Sequence, residues 1–277
     1  MSTWQGPPPP VLPQAGPLRK IVAGARGAVV FAWLALMIAI YLPLKWAEPL
    51  TGRWRPRYAV MRTWARVSLR LMGLRRVVHG APARGVALVA NHSSWLDIML
   101  FCSIGRVAFV AKSEVAGWAG VGWCARMMDA MFVERRAAAA AAQTVEMSER
   151  LARGQQLLFF PEGTSTDGQR VLPFKSSLFA VFDAMGADAP VQPVAARYVA
   201  PEGMPPDFYG WWGDMSLGGH AWQMLQWSWG GVVHLDFGPV LDPATAGGRK
   251  MLARTSEQHV REGWAAHGPV VAVEGTP

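Results

Sequence analysis

From Gly27 to Leu44 the chain is apolar and uncharged, and as a helix this run is roughly 27 Å long, about the hydrocarbon thickness of a bilayer. Arg26 and Lys45 bracket it, and Trp33, Tyr41 and Trp46 add aromatic residues suited to an interface. Val60, Trp64, Val67, Leu71 and Leu74 then recur at helical spacing while Arg62, Arg66 and Arg70 climb a separate face, which predicts a basic amphipathic helix over 58–74. Beyond it the pattern changes to short β-branched or aromatic runs separated by helical ones. Strands are expected at 86–90, 107–111, 130–133, 156–160, 191–198 and 231–237, and helices after Asp97, through Trp118 and Trp123, over 137–152 and over 246–267. This alternation predicts an α/β fold, a mixed sheet flanked by helices, preceded by a membrane-associated helical motif. The expected division is a disordered tail at 1–20, rich in proline and glycine over 5–17, an anchor and basic helix at 21–75, and a catalytic domain at 76–270, with the last ten residues of the chain fraying.

Composition narrows the class. The formal charge of +8 suits nucleic acid or an anionic membrane surface. Fourteen tryptophans, a positive mean hydropathy and arginines placed beside the anchor favour the membrane, and no nucleic-acid module is present. Basic residues are heavier after the anchor (Lys45, Arg53, Arg55, Arg57, Arg62, Arg66) than before it (Arg19, Lys20, Arg26), which places the catalytic part on the cytoplasmic side. Cys102 and Cys124 lie in runs that read as buried and belong to no metal-binding spacing, so both are expected to be reduced core residues, with no structural metal. For His79, His220, His234, His259 and His267 no metal spacing or catalytic partner is visible in the sequence.

The chemistry concentrates where strand 86–90 runs into Asn91-His92-Ser93-Ser94-Trp95-Leu96-Asp97. His92 falls at the mouth between a strand end and a helix start, the edge where open α/β sheets bind ligands. An imidazole can take a proton from an alcohol near neutral pH, and a carboxylate on its other nitrogen fixes the tautomer. Asp97 is the candidate carboxylate. On a continuous helix a five-residue spacing points the two side chains apart, so His92 must precede the first turn and fold back. Arg135, just past strand 130–133, could clamp a phosphate, and Glu162 could anchor Arg135 or a substrate hydroxyl. Gly163 lets a substrate approach the backbone, Thr164 offers a hydroxyl donor, and Lys175 could add a second phosphate contact. Tyr209, Trp211, Trp212, Trp222, Trp227 and Trp229 either line an acyl groove, lie at headgroup level, or simply pack. No Gly-x-Ser-x-Gly elbow supports a serine hydrolase. A lipid-binding protein without turnover is the non-enzymatic alternative.

Four blocks in order, Asn91-His92-x4-Asp97, Phe132-Val133-Glu134-Arg135, Phe160-Pro161-Glu162-Gly163-Thr164 and Val191-Gln192-Pro193-Val194, resemble the glycerolipid acyltransferases, a family that includes 1-acylglycerol-3-phosphate acyltransferases. The resemblance implies an α/β domain with His92 as base, Asp97 as its partner and Arg135, Glu162 and Gly163 around the acceptor phosphate. It also implies an acyl-CoA or acyl-carrier-protein donor, a lysolipid acceptor in the membrane, and no metal or other cofactor. The family often has glycine where this chain has Asp129, and Gly-Thr-Arg-Ser where this chain has Gly163-Thr164-Ser165-Thr166, which removes one potential phosphate contact. The longer string from Phe160 to Phe179 looks more like the bacterial lyso-ornithine-lipid acyltransferases, so the resemblance leaves a phosphate or an ornithine headgroup open.

Overall fold

The computed structural model describes residues 4–51, 55–117, 121–133, 137–186 and 189–268. Helix α1 (Pro17–Trp46) opens the chain, followed by the single turn α2 (Glu48–Thr51) and α3 (Arg57–Leu71). Then come β1 (Leu74–His79), β2 (Ala87–Ala90), α4 (Leu96–Cys102), β3 (Val107–Lys112), α5 (Val121–Met127) and β4 (Met131–Val133). The second half is α6 (Ala137–Ala152), β5 (Gln156–Phe159), α7 (Ala180–Met185), β6 (Val191–Val199), α8 (Leu217–Trp227), β7 (Gly231–Phe237) and α9 (Arg249–Ala265). The strands form one seven-stranded sheet in the order β1-β7-β6-β2-β5-β3-β4, parallel throughout except between β6 and β7.

Alternation along the central strands builds a core on each face. Leu88 and Ala90 of β2 join Leu96 and Leu100 of α4 and Ala65 and Leu69 of α3. Ala87 and Val89 point the other way, to Met147 and Leu151 of α6, Phe182 of α7 and Leu252, Val260 and Trp264 of α9. A strand covered on both faces has no need of polar alternation, which is why β2 and β5 are buried at every position.

Helix α1 starts with Pro17 in its first turn, where the missing N–H costs nothing, and runs ten residues ahead of the expected apolar segment. It is the one helix among the described residues long and apolar enough to cross a membrane, and only 11% of its most apolar window is buried. Leu18, Ile21, Val22, Val29, Phe31, Leu36, Ile40 and Trp46 lie open to solvent. The two bracketing cations are not free. Arg26 donates to the carbonyls of Leu225 (2.5 Å), Leu71 (2.9 Å) and Ser228 (3.2 Å), and Lys45 donates to those of Arg126 and Met127 (both 3.2 Å). Both ends of the apolar stretch are therefore tied to the folded domain, and the helix lies along it.

Several expectations change. Helix α3 stops at Leu71, so Leu74 begins β1 rather than ending the helical stripe. The face that α3 buries is Tyr58, Met61, Ala65, Ser68 and Leu69, one step round from the predicted stripe, whose Val60, Trp64, Val67 and Leu71 are half-buried at its margin. The small residues at 65 and 68 allow close packing on the sheet side, which hydropathy alone does not register. Residues 4–16 form no helix or strand but are held against the domain: Pro7 accepts from the Trp212 indole at 2.9 Å, and Trp4 N–H reaches Thr164 Oγ1 at 3.2 Å. The disordered tail expected at 1–20 thus includes the start of α1 and a docked segment. Cys102 is buried and its thiol is pushed up to about 12 by burial, whereas Cys124 is exposed, contrary to its apolar neighbourhood in sequence. Of the last ten residues, expected to fray, 269–277 lie outside the described residues.

Candidate active site

Strand β2 ends at Ala90, and Asn91 locks that end to β6. Its amide donates to the Ala196 carbonyl at 2.9 Å and its carbonyl accepts from the Ala196 N–H at 2.8 Å. The chain then turns through His92-Ser93-Ser94-Trp95 into α4, with Asp97 in the first helical turn. His92 precedes that turn and its ring comes back over it, so that Nδ1 lies 2.7 Å from Asp97 Oδ2. The same oxygen accepts from the N–H groups of Ser93 (2.9 Å) and Ser94 (3.1 Å). The other oxygen, Oδ1, accepts from the Tyr198 hydroxyl at 2.7 Å. Asp97 is fully buried, and these four donors supply what water would otherwise give a carboxylate.

The imidazole stacks on Phe160, with ring centroids 4.2 Å apart and planes 17° from parallel. Nδ1 is taken by the carboxylate, and no described residue bonds Nε2. The ring is 22% exposed, so it is reached from outside while its partner is sealed.

Glu162 is also buried, but it faces the backbone. Its Oε1 accepts from the His92 N–H at 2.8 Å and its Oε2 from the Leu172 N–H at 3.1 Å. Burial pushes its carboxyl up to about 8, against the pull of those two amides. Both oxygens being occupied, Glu162 holds the His92 loop, a role sequence reasoning did not assign. Thr166 completes the loop by donating its N–H to the His92 carbonyl at 3.0 Å.

Gly163 takes φ +73°, a left-handed conformation that side chains disfavour. A Cβ there would stand 2.8 Å from Lys175 Nζ, so the glycine and the exposed lysine of the sequence reading are neighbours. Thr164 Oγ1 donates to the Ser165 carbonyl (3.2 Å) besides accepting from Trp4, and the N-terminal segment covers it. Arg135 lies outside the described residues. Asp129, where the family often has glycine, keeps the glycine-like backbone at φ +57°. Its carboxylate binds Arg57 Nη2 (2.6 Å) and the Tyr58 hydroxyl (2.7 Å), with Lys45 Nζ at 3.6 Å, and these donors hold it below the usual carboxylate range despite burial.

Two further groups were missed. Tyr198 lies beyond the Val191–Val194 block and meets Asp97 only because β6 pairs with β2. His220 accepts from the Trp95 indole at 2.9 Å on Nδ1 and faces the Phe208 carbonyl with Nε2 at 3.3 Å, and burial pushes its pKa down to about 4. It is therefore neutral and fixes Trp95, in the loop between His92 and α4. Of the tryptophan-rich stretch, Tyr209 and Trp212 are packed inside, while Trp222 and Trp229 are exposed.

A family model described as Acyltransferase matches residues 75–197. The chain is 42% identical over 269 residues to the lyso-ornithine lipid O-acyltransferase of Rhodobacter capsulatus, covering 94% of this chain and 96% of that protein. It is 35% identical over 254 residues to the enzyme of the same name from Rhizobium meliloti, covering 86% and 85%. To the 1-acyl-sn-glycerol-3-phosphate acyltransferase of Neisseria meningitidis it is 31% identical over 194 residues, covering 66% and 72%. The crystal structure of the 1-acyl-sn-glycerophosphate acyltransferase PlsC from Thermotoga maritima shares the fold, with a TM-score of 0.62 at 21% identity over 94% of this chain and 97% of that one. With near full-length similarity to named enzymes, the chain belongs to the lysolipid acyltransferase family that includes the lyso-ornithine lipid and 1-acyl-sn-glycerol-3-phosphate acyltransferases.

Proposed function

We propose that this acyltransferase moves an acyl group from a thioester, acyl-CoA or acyl-carrier protein, onto the hydroxyl of a lyso-ornithine lipid, with His92 as general base. The observation that carries the chemistry is the 2.7 Å contact between His92 Nδ1 and a buried Asp97 whose lone pairs are already filled by two amides and a phenol. Nε2 takes the hydroxyl proton as the lipid oxygen attacks the thioester carbonyl, and Asp97 stabilises the imidazolium that forms. Collapse of the tetrahedral intermediate expels the thiolate, which recovers that proton from Nε2. Base and carboxylate thus return to their starting states with no acyl-enzyme and no metal in the cycle.

The ornithine acceptor is supported by near full-length similarity to enzymes bearing that name and by Ser165, a buried hydroxyl where the phosphate-acceptor pattern often has arginine. A phosphate-bearing acceptor is the second reading, favoured by the exposed Lys175 ammonium beside Gly163 and by the Arg135 of the second block. Assay of membranes with labelled acyl donor and either lyso-ornithine lipid or lysophosphatidic acid separates the two: consumption of lysophosphatidic acid alone rules out the first. His92→Ala should lower turnover by at least ~100-fold on whichever acceptor is used.

Membrane attachment is assigned to the outward apolar face of α1, entering the bilayer from one side because Arg26 and Lys45 both bond the domain. The excess of basic residues after α1 supports the cytoplasmic side. Single cysteines placed at Leu18 and at Trp46 should both react, or both fail to react, with an impermeant thiol reagent from the same side; opposite-sided labelling would show a span.

A further inference from the structure

His79, His234 and His267, separated by 155 and 33 positions along the chain, come together on the face of the sheet opposite α4. In β7, Val233 and Leu235 turn into the core shared with α4, so His234 and Asp236 alternate to the other face, under the end of α9. The parallel register of the edge strand β1 sets His79 opposite Asp236. Helix α9 delivers His267 two residues past its end. It can do so because Gly263 comes so close to the sheet that a Cβ would stand 3.1 Å from both Ala195 Cβ and Asp236 Cβ. Trp264, beside it, is buried under Arg197, whose guanidinium carbon lies 3.8 Å from the indole centroid.

The three rings lie nearly parallel, with centroids 4.1 to 5.3 Å apart. His79 Nε2 is 3.0 Å from His234 Nδ1, and one ring nitrogen from each of the three lies within 4.8 Å of the other two. Asp236 Oδ2 is 2.9 Å from His267 Nε2. We propose that this cluster is a metal site that takes a borderline divalent ion such as zinc, with one nitrogen from each histidine as ligand and Asp236 as the carboxylate that orients His267. Ligand nitrogens around tetrahedral zinc stand roughly 3.3 Å apart at bonds of about 2.0–2.1 Å, so the rings need to fan apart and shift by on the order of 1 Å. An all-imidazole set with a carboxylate behind one ring, and no thiolate, suits zinc and its neighbours in the first transition row better than magnesium or calcium. The ion would clasp the end of α9 to the sheet edge β1–β7, away from the transfer chemistry at His92.

The test uses full-length, tag-free protein in detergent. After loading with zinc and dialysis it should retain about one equivalent, and cobalt in its place should give the intense visible bands of a tetrahedral site. His79→Gln and His234→Gln should each weaken zinc binding by ~10-fold or more and abolish the bands. His92→Ala and His259→Gln should leave both unchanged. Because the wild-type protein alone must bind one ion, a variant that fails to fold does not rescue the idea. Substoichiometric zinc in the wild type, or binding lost in His92→Ala instead, overturns it.

Discussion

Tyr198 and His92 hold the two oxygens of one carboxylate: the phenol donates to Asp97 Oδ1 and the imidazole Nδ1 meets Oδ2, each at 2.7 Å. The phenol is fully buried, and burial together with Asp97 holds it well above the usual tyrosine range, so it remains a donor at any working pH. Tyr198→Phe leaves Oδ1 without a partner in an apolar setting. A stability loss of about 1–3 kcal/mol is expected by denaturant titration, together with a fall in kcat smaller than that of His92→Ala. Unchanged kcat would mean that Tyr198 does not tune the pair.

Asp97→Asn tests the other side of the pair. The amide keeps an acceptor for the Ser93 and Ser94 amides, so the loop should remain folded, but it no longer stabilises an imidazolium. Turnover should drop by ~100-fold or more with little change in the thermal midpoint, and pre-steady-state measurement should put the loss in the acyl-transfer step.

Asp129 combines a left-handed backbone with a carboxylate that joins α1 and α3 to the turn after α5. Asp129→Ala adds backbone strain and leaves the buried Arg57 with Glu48 as its remaining carboxylate partner, so a loss of about 2–4 kcal/mol is expected. Asp129→Gly removes the strain and keeps the charge defect, and should be the less damaged of the two. Limited proteolysis near residue 50 would report loosening of α1 from the domain.

Stability should depend on pH through two buried groups of opposite sense. His220 is pushed down to about 4 from 6.5, so below pH 6.5 the unfolded chain gains a proton that the native ring refuses, and stability is lost as pH falls from about 6.5 towards about 4. Glu162 is raised to about 8 from 4.5, so the native state keeps a proton that the unfolded chain releases, and stability declines as pH rises from about 4.5 to about 8. His220→Gln should flatten the acid limb of a thermal midpoint profile while leaving the alkaline limb in place. An unaltered acid limb would assign it to other groups.

Much of this protein was legible in one dimension because the signals are local. The β-branched runs at 86–90, 191–198 and 231–237 became β2, β6 and β7, and the alanine-rich run became α6 over the predicted 137–152. The block Asn91 to Asp97 carries its geometry within seven residues, since the strand end, the turn and the first helical turn are consecutive. β1 was not foreseen. Arg75, Arg76 and His79 give an edge strand a mixed pattern, and Leu74 continued the helical period before it.

What tertiary structure alone decided are contacts between residues far apart in the chain, where no periodicity constrains the pairing. Sequence could mark α1 as apolar, but only packing ties Arg26 and Lys45 to backbone carbonyls of the domain. It could nominate Glu162, but only the fold turns both its oxygens to backbone amides. Hydropathy and spacing report which face of a segment is buried and what its neighbours in the chain can reach. Strand order and register decide which side chains from opposite ends of the chain meet, and here they brought Tyr198 to Asp97 and three unrelated histidines to one another.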